Sequence, residues 1–364
     1  MTQNLLHISP DFNYSCGVSK HVYLLLKELH KNKTYDIFFI TNKGDSLERL
    51  TKLGIQATIV DFSRGSRNVY KLMKDVLFIY KFCKQNNINV IHTHHRYPEL
   101  VAYLVSKILP IKTISTVHSL LTNLKLFSFR SEKIIAVSNA VKENLIKNYK
   151  INPDRINVLY NYVEPFIEVN QEQKDKFLLE HNISESDRIL LFVGRISEIK
   201  GCDVLLSAFD EIKEVKKNIR LILVGSWELP LTYKINTTDN SKILIIKSSD
   251  EISMFYSVSA LVVAPSRNDS FPFIMLEAGL AKKPFIGGRT GGIAEFIEDD
   301  VDGLLVEPGN KYDLQEKIVK LLDDKILSLK LANHLYNKVA KLTNPDSYIS
   351  QLMDIYERKA KQSI

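Results

Sequence analysis

Cysteine is scarce in this chain. Only Cys16, Cys83 and Cys202 occur among 364 residues, far apart and odd in number. That excludes a disulfide framework and predicts a reduced, cytosolic setting. No apolar run approaches the roughly 20 residues that span a bilayer. The opening MTQNLLHISPDF has no basic leader and no long apolar core, so it does not read as a secretory signal. Low-complexity tracts and tandem repeats are absent too. What is present is globular: 45% hydrophobic and 25% charged residues. The length exceeds one ordinary domain, and two of average size are expected.

Acidic residues are sparse in one half. Residues 1–165 hold 12 Asp and Glu against 23 Lys and Arg, whereas the remainder holds 30 against 26. The net +7 is therefore concentrated in the first half, which suggests an anionic surface or ligand there.

Short β-rich runs recur with helical patterns between them. They are NLLHIS (4–9), DIFFIT (36–41), ATIVDF (57–62), VIHTHH (90–95), TISTVH (113–118), KIIAVS (133–138) and INVLYN (156–161). A polar stretch, 164–187, interrupts the rhythm. It resumes with RILLFVG (188–194), IRLILVG (219–225), KILIIK (242–247), ALVVAPS (260–266), KPFIGG (283–288) and DGLLVEP (302–308). Continuous apolar runs, not alternation, mark strands covered on both faces, as in a parallel sheet. The pattern predicts an α/β chain of two doubly wound domains, 1–163 and 164–344, followed by an amphipathic helix in 345–364. Two such domains facing each other would form a cleft, with ligands beyond the carboxyl ends of the strands.

Chemistry-bearing residues do follow strands. In FVGRISEIKG (192–201), Gly194 permits a turn and the cations Arg195 and Lys200 suit a phosphate. In SPDFNYSCGVSKHV (9–22), Ser15, Gly17 and Ser19 are small, and a helix start near Val18 could meet an anion. The pair Gly291 and Gly292 reads as a turn or as close backbone approach to a ligand. Histidines end two strands. On a strand His92 and His94 share a face and His95 takes the other. A metal needs three convergent ligands and no third is evident, so no metal site is expected. His118, at a strand end, is the candidate to touch substrate. Finally, SRNDSFPFIMLEAG (266–279) sets Asp269 and Glu277 eight positions apart around an apolar segment.

In this order the pieces resemble the family-four glycosyltransferases of the GT-B fold (glycosyl transferases group 1), enzymes that retain anomeric configuration. The likeness runs through nearly the whole chain: the loop with Gly17, His118, IIAVSNAVKENL (134–145), the turn at Asn161, GRISEIKG, LVGSWELP, DEISMFYSVSALVVAPS, the two-carboxylate segment, GGIAEFIEDDVDGLLVEPGN and a final helix returning to the first domain. The family's signature is two glutamates with seven residues between them. By that resemblance Glu277 binds ribose hydroxyls, Asp269 binds donor-sugar hydroxyls, and the backbone N–H groups of Phe273 and Ile274 face the diphosphate. Arg195 and Lys200 stabilise the charge that grows on the leaving group. The sequence departs from the family at Asp269, where glutamate is usual, at Pro272 and Lys247, where glycine is common, and in keeping only Gly17 of a glycine pair.

The resemblance implies a metal-independent, hexosyltransferase-type enzyme of bacterial cell-surface polysaccharide or glycolipid assembly. It implies no cofactor, a nucleotide diphosphate sugar as donor, and a glycan or lipid-linked acceptor. The alternatives are a nucleotide-sugar epimerase of the same fold and an inactive accessory subunit. No nucleic-acid motif is visible. In 63–84, Val69, Leu72, Met73, Val76 and Tyr80 are expected to pack inward, while Arg64, Arg67, Lys71, Lys74, Lys81 and Phe78 form a second stripe. That stripe suits an anionic membrane surface and a cytoplasmic, peripheral location.

Overall fold

A computed structural model describes residues 3–62, 68–123, 128–230, 232–233, 241–248, 251–342 and 344–357. The chain forms two compact units. One runs to Tyr160 and includes the helix Pro345–Glu357; the other is Asn161–Asn344. The boundary falls just before Asn161, whose side chain donates to the Phe271 carbonyl inside the second unit at 2.8 Å.

The first unit carries β1 (Gln3–Ile8), β2 (Tyr35–Thr41), β3 (Ala57–Ile59), β4 (Val90–Thr93), β5 (Lys112–Val117), β6 (Lys133–Ala136) and β7 (Ile156–Val158). Their order is β3-β2-β1-β4-β5-β6-β7, and all pairs are parallel. The second unit carries β8 (Arg188–Val193), β9 (Ile219–Val224), β10 (Ile243–Ile246), β11 (Leu261–Ala264), β12 (Phe285–Gly288) and β13 (Leu304–Val306). Their order is β10-β9-β8-β11-β12-β13, again all parallel.

The apolar runs explain this arrangement. Leu5, Leu6 and Ile8 of β1, Ile189–Phe192 of β8 and all of β11 are buried, because helices cover both faces of a doubly wound sheet. Each such side chain contributes about 1.5–3 kcal/mol on burial. In both sheets the strand order reverses once, between β1 and β4 and between β8 and β11. Loops leaving the carboxyl ends of those neighbours diverge and open a crevice.

The final helix packs within the first unit. It buries Tyr348, Ile349, Leu352, Ile355 and Tyr356, and Lys112 donates to the carbonyls of Ile355 and Tyr356.

The helix Val69–Gln85 is rotated relative to its apolar periodicity. Leu72, Val76 and Tyr80 pack against the core, as expected, but Val69 and Met73 are 73% and 66% exposed. Asp75, Ile79 and Cys83 are buried instead. Asp75 accepts hydrogen bonds from Tyr97 Oη at 2.6 Å and Lys71 Nζ at 3.1 Å. A satisfied carboxylate thus takes a core position that periodicity assigns to solvent. Lys71 is withdrawn from the cationic stripe with it. Lys74 and Lys81 remain exposed, while Arg64 and Arg67 lie outside the described residues.

Candidate active site

In the second unit the divergent loops follow β8 and β11. The loop after β8 carries Gly194, Arg195 and Lys200, then enters the helix Cys202–Val215. The loop after β11 carries Asp269 and enters the helix Phe273–Leu280. Lys200 Nζ and Asp269 Oδ2 meet at 2.6 Å, and Ser266 Oγ donates to the same oxygen at 3.2 Å. Both partners of the ion pair are largely buried, with 22% and 9% of their side chains exposed. Arg195 is exposed and pairs with Glu228 at 3.3 Å. A surface pair of this kind holds loosely, so Arg195 can exchange partners at little cost.

Close backbone packing sets these positions. Gly201 has φ +71°, and a Cβ there would lie 2.0 Å from the Pro265 carbonyl oxygen. A Cβ on Gly292 would lie 1.9 Å from the Ser270 carbonyl oxygen, and its N–H donates to the Asp269 carbonyl at 3.0 Å. The glycines therefore press the loop that holds Asp269 between its two neighbours. Arg267 adds a clamp, donating from its two terminal guanidinium nitrogens to the Asp203 carboxylate at 2.6 and 2.7 Å.

Pro272 is the N-cap of the helix Phe273–Leu280, in extended conformation. Its missing N–H lies before the helix, so Phe273 and Ile274 keep theirs in the first turn. Glu277, buried in the same helix, accepts a hydrogen bond from Tyr256 Oη at 2.5 Å. Burial, and then the Glu277 charge, push the Tyr256 pKa well above its ordinary value, so the phenol stays a donor. Asp269 and Glu277 thus have separate partners.

In the first unit, Gly17 opens the helix Gly17–Asn32 and is exposed. Ser19 is occupied locally: its hydroxyl donates to the Asp11 carbonyl at 3.1 Å and accepts from the Asn13 N–H at 3.0 Å. His118 stands just beyond β5, half-buried. It is one of a group. His94 Nδ1 lies 3.3 Å from His118 Nε2, and His94 Nε2 lies 3.2 Å from His7 Nδ1. His21 packs edge-on to His118, and His92 stacks on His94. Five imidazoles therefore converge near the strand reversal of the first sheet. This corrects the expectation that no third ligand joins His92 and His94. Parallel pairing of β1 with β4 brings in His7, and the helix after β1 brings in His21.

Two family models match this chain. Residues 173–341 match glycosyl transferases group 1 and residues 16–165 match glycosyltransferase family 4. An uncharacterized glycosyltransferase of Methanocaldococcus jannaschii, MJ1178, is 30% identical over 336 residues, 87% of each chain. The chain belongs to the family-four glycosyltransferases. An Escherichia coli relative named UDP-Gal:alpha-D-GlcNAc-diphosphoundecaprenol alpha-1,3-galactosyltransferase is 23% identical over 355 residues, 90% of each chain. The crystal structure of Anabaena Alr3699/HepE in complex with UDP-glucose superposes with a TM-score of 0.84 at 15% identity, covering 97% of this chain and 99% of that one. The fold of this glycosyltransferase is thus GT-B, with a doubly wound Rossmann-like domain in each half.

Of the residues expected in the transferase site, the structure joins Lys200 to Asp269 directly. It places Gly194, Arg195, Phe273, Ile274 and Glu277 on the same two loops and their helices, and Gly17 and His118 in the other unit. Sequence reasoning missed Ser266, Tyr256, His7 and His21. Tyr256 reads as one more apolar residue of MFYSV, and His7 as an interruption of an apolar strand; a polar group inside such a run is the signal that was there.

Proposed function

We propose that this glycosyltransferase moves a hexosyl group from a nucleotide diphosphate donor to an acceptor hydroxyl, with retention of configuration and without a catalytic metal. The observation that carries this reading is the gathering of Lys200, Asp269 and the start of the helix Phe273–Leu280 at the strand reversal of the second sheet. Cations and helical N–H groups at such a point suit a diphosphate. Glu277 would accept from ribose hydroxyls and Asp269 from sugar hydroxyls. As the glycosidic bond breaks, positive charge spreads over the anomeric carbon and ring oxygen. Negative charge grows on the diphosphate, where Lys200 and Arg195 oppose it. The leaving phosphate takes the acceptor proton on the face it departs from. The UDP-glucose complex of the Anabaena neighbour supports a nucleotide-sugar donor.

A thermal-shift screen tests the donor. A ligand that binds only the native state raises apparent stability by about 2.7 kcal/mol at one hundred times its Kd. One nucleotide sugar and its nucleoside diphosphate should raise Tm by several degrees, and the free sugar should not. No shift with any nucleoside diphosphate would remove the donor site.

The acceptor in this reading is a lipid-linked glycan of bacterial cell-surface assembly. The diphosphoundecaprenol acceptor in the name of the Escherichia coli relative supports it. So does one exposed helix face. Val69, Tyr70, Met73 and Leu77 lie open on the helix Val69–Gln85, with Lys74, Lys81 and Lys84 exposed on the same helix. In this reading the face lies on an anionic surface; among the described residues no helix is long and apolar enough to cross a membrane. Each cation contributes about 1 kcal/mol there, and the effect fades with salt. Liposome flotation should show salt-sensitive binding to vesicles containing phosphatidylglycerol, lost when Lys74, Lys81 and Lys84 become glutamate. Equal flotation of the two proteins would return the face to solvent.

A further inference from the structure

The first unit gathers five histidines in one cluster. Its members come from β1 (His7), the following helix (His21), β4 and the residue after it (His92, His94) and the end of β5 (His118). Two trios bring one ring nitrogen from each residue within 4.8 Å of the others: His7, His92 and His94, and His21, His94 and His118. Both trios are purely imidazole. Such a donor set suits late first-row divalent ions and disfavours magnesium and calcium, which take oxygen ligands.

The second trio is the more accessible, because His118 is only half-buried whereas all three members of the first are buried. His92 is engaged on both sides, with Tyr356 Oη at 2.7 Å from Nδ1 and Thr116 Oγ1 at 2.7 Å from Nε2. His94 Nδ1 and His118 Nε2, by contrast, are 3.3 Å apart. That separation serves a hydrogen bond between the two rings when no ion is present. It matches the edge, about 3.3 Å, of a tetrahedron whose corners lie about 2.0–2.1 Å from a central zinc. His94 Nε2 faces His7 Nδ1 at 3.2 Å, which fixes the ring and leaves Nδ1 directed at the shared space. His118 is only half-buried and gives an ion its way in.

We propose that His21, His94 and His118 bind one late first-row divalent ion, typified by zinc, with a fourth position left open. The site does not depend on the transferase reading, and its test reads binding, not activity. The full chain, stripped with a chelator, is titrated with Zn²⁺ in equilibrium dialysis and with Co²⁺ in visible absorption. One equivalent of Zn²⁺ should bind, and Co²⁺ should give the intense visible bands of a four-coordinate ion. His94→Ala should lose this binding. That residue is buried, so His118→Asn, at a half-exposed position, provides a second variant with circular dichroism as the folding check. Its affinity should fall at least tenfold. His7→Asn, which removes only the outer partner, should weaken binding by about 10–100-fold. His334→Ala, in the other unit, should change nothing. Failure to bind one equivalent, or undiminished binding by folded His118→Asn, overturns the site and leaves the cluster as a set of packed, hydrogen-bonded imidazoles.

Discussion

Lys200→Ala should lower turnover by about 10–150-fold, the equivalent of the roughly 1.5–3 kcal/mol that a hydrogen bond to a charged group contributes. Lys200 is largely buried, 2.6 Å from Asp269, and reached through the Gly201 turn, which presses against the Pro265 carbonyl. A cation held so firmly costs little further ordering when charge develops beside it. Arg195→Ala should have a smaller effect, near tenfold, because Arg195 is exposed and only loosely paired with Glu228. Lys200→Ala also leaves the Asp269 carboxylate without its cation in a nearly closed position, so Tm should fall by a few degrees. Turnover is therefore measured at 25 °C on protein whose circular dichroism matches wild type. Lys200→Arg separates charge from shape: it should recover part of the turnover. A folded Lys200→Ala protein within twofold of wild-type turnover would take Lys200 out of the reaction.

That Lys200 and Asp269 belong together was not visible along the chain. Each stands in a loop after an apolar run, and each loop is legible by itself. Their union follows from sheet order: β11 lies beside β8, although β9 and β10 intervene in sequence. Buried parallel strands are legible because they are continuous apolar runs, and the helices between them because their apolar residues recur at helical spacing. Order across the sheet leaves little trace in one sequence. The same limit hid the histidines. His92 and His94 announce themselves as a pair in VIHTHH, but His7 and His21 join them only because β1 lies beside β4. Asp75 shows the converse failure. An aspartate on the core face contradicts the periodicity rule, and only its bonds to Tyr97 and Lys71 explain it.

Glu277→Gln should weaken a nucleoside diphosphate by about 10–100-fold, whereas Asp269→Asn should leave its affinity within about threefold and still lower transfer more than tenfold. The two acids differ in surroundings as well as position. Glu277 is fully enclosed in the helix Phe273–Leu280 and takes the Tyr256 phenol proton donor on Oε2. Because the Tyr256 pKa is pushed well up, that donor persists across the whole working range of pH. The bond orients the carboxylate before any ligand arrives, so loss of a ribose contact should appear in the free nucleotide. Tyr256→Phe removes only this orientation and should cost three- to tenfold. Asp269 instead lies in the loop before the helix, between Lys200 and Ser266, and its proposed ligand is the sugar. Asparagine at 269 keeps the side-chain shape but loses the charge that attracts Lys200. Lys200 then remains free to face the diphosphate, which is why nucleotide affinity should hold while the sugar is misplaced. Calorimetry with the nucleoside diphosphate that gives the largest thermal shift, and then with its intact sugar donor, separates the roles. Equal weakening of the free nucleotide by Glu277→Gln and Asp269→Asn would show that the two carboxylates serve one contact and that the division between ribose and sugar is wrong.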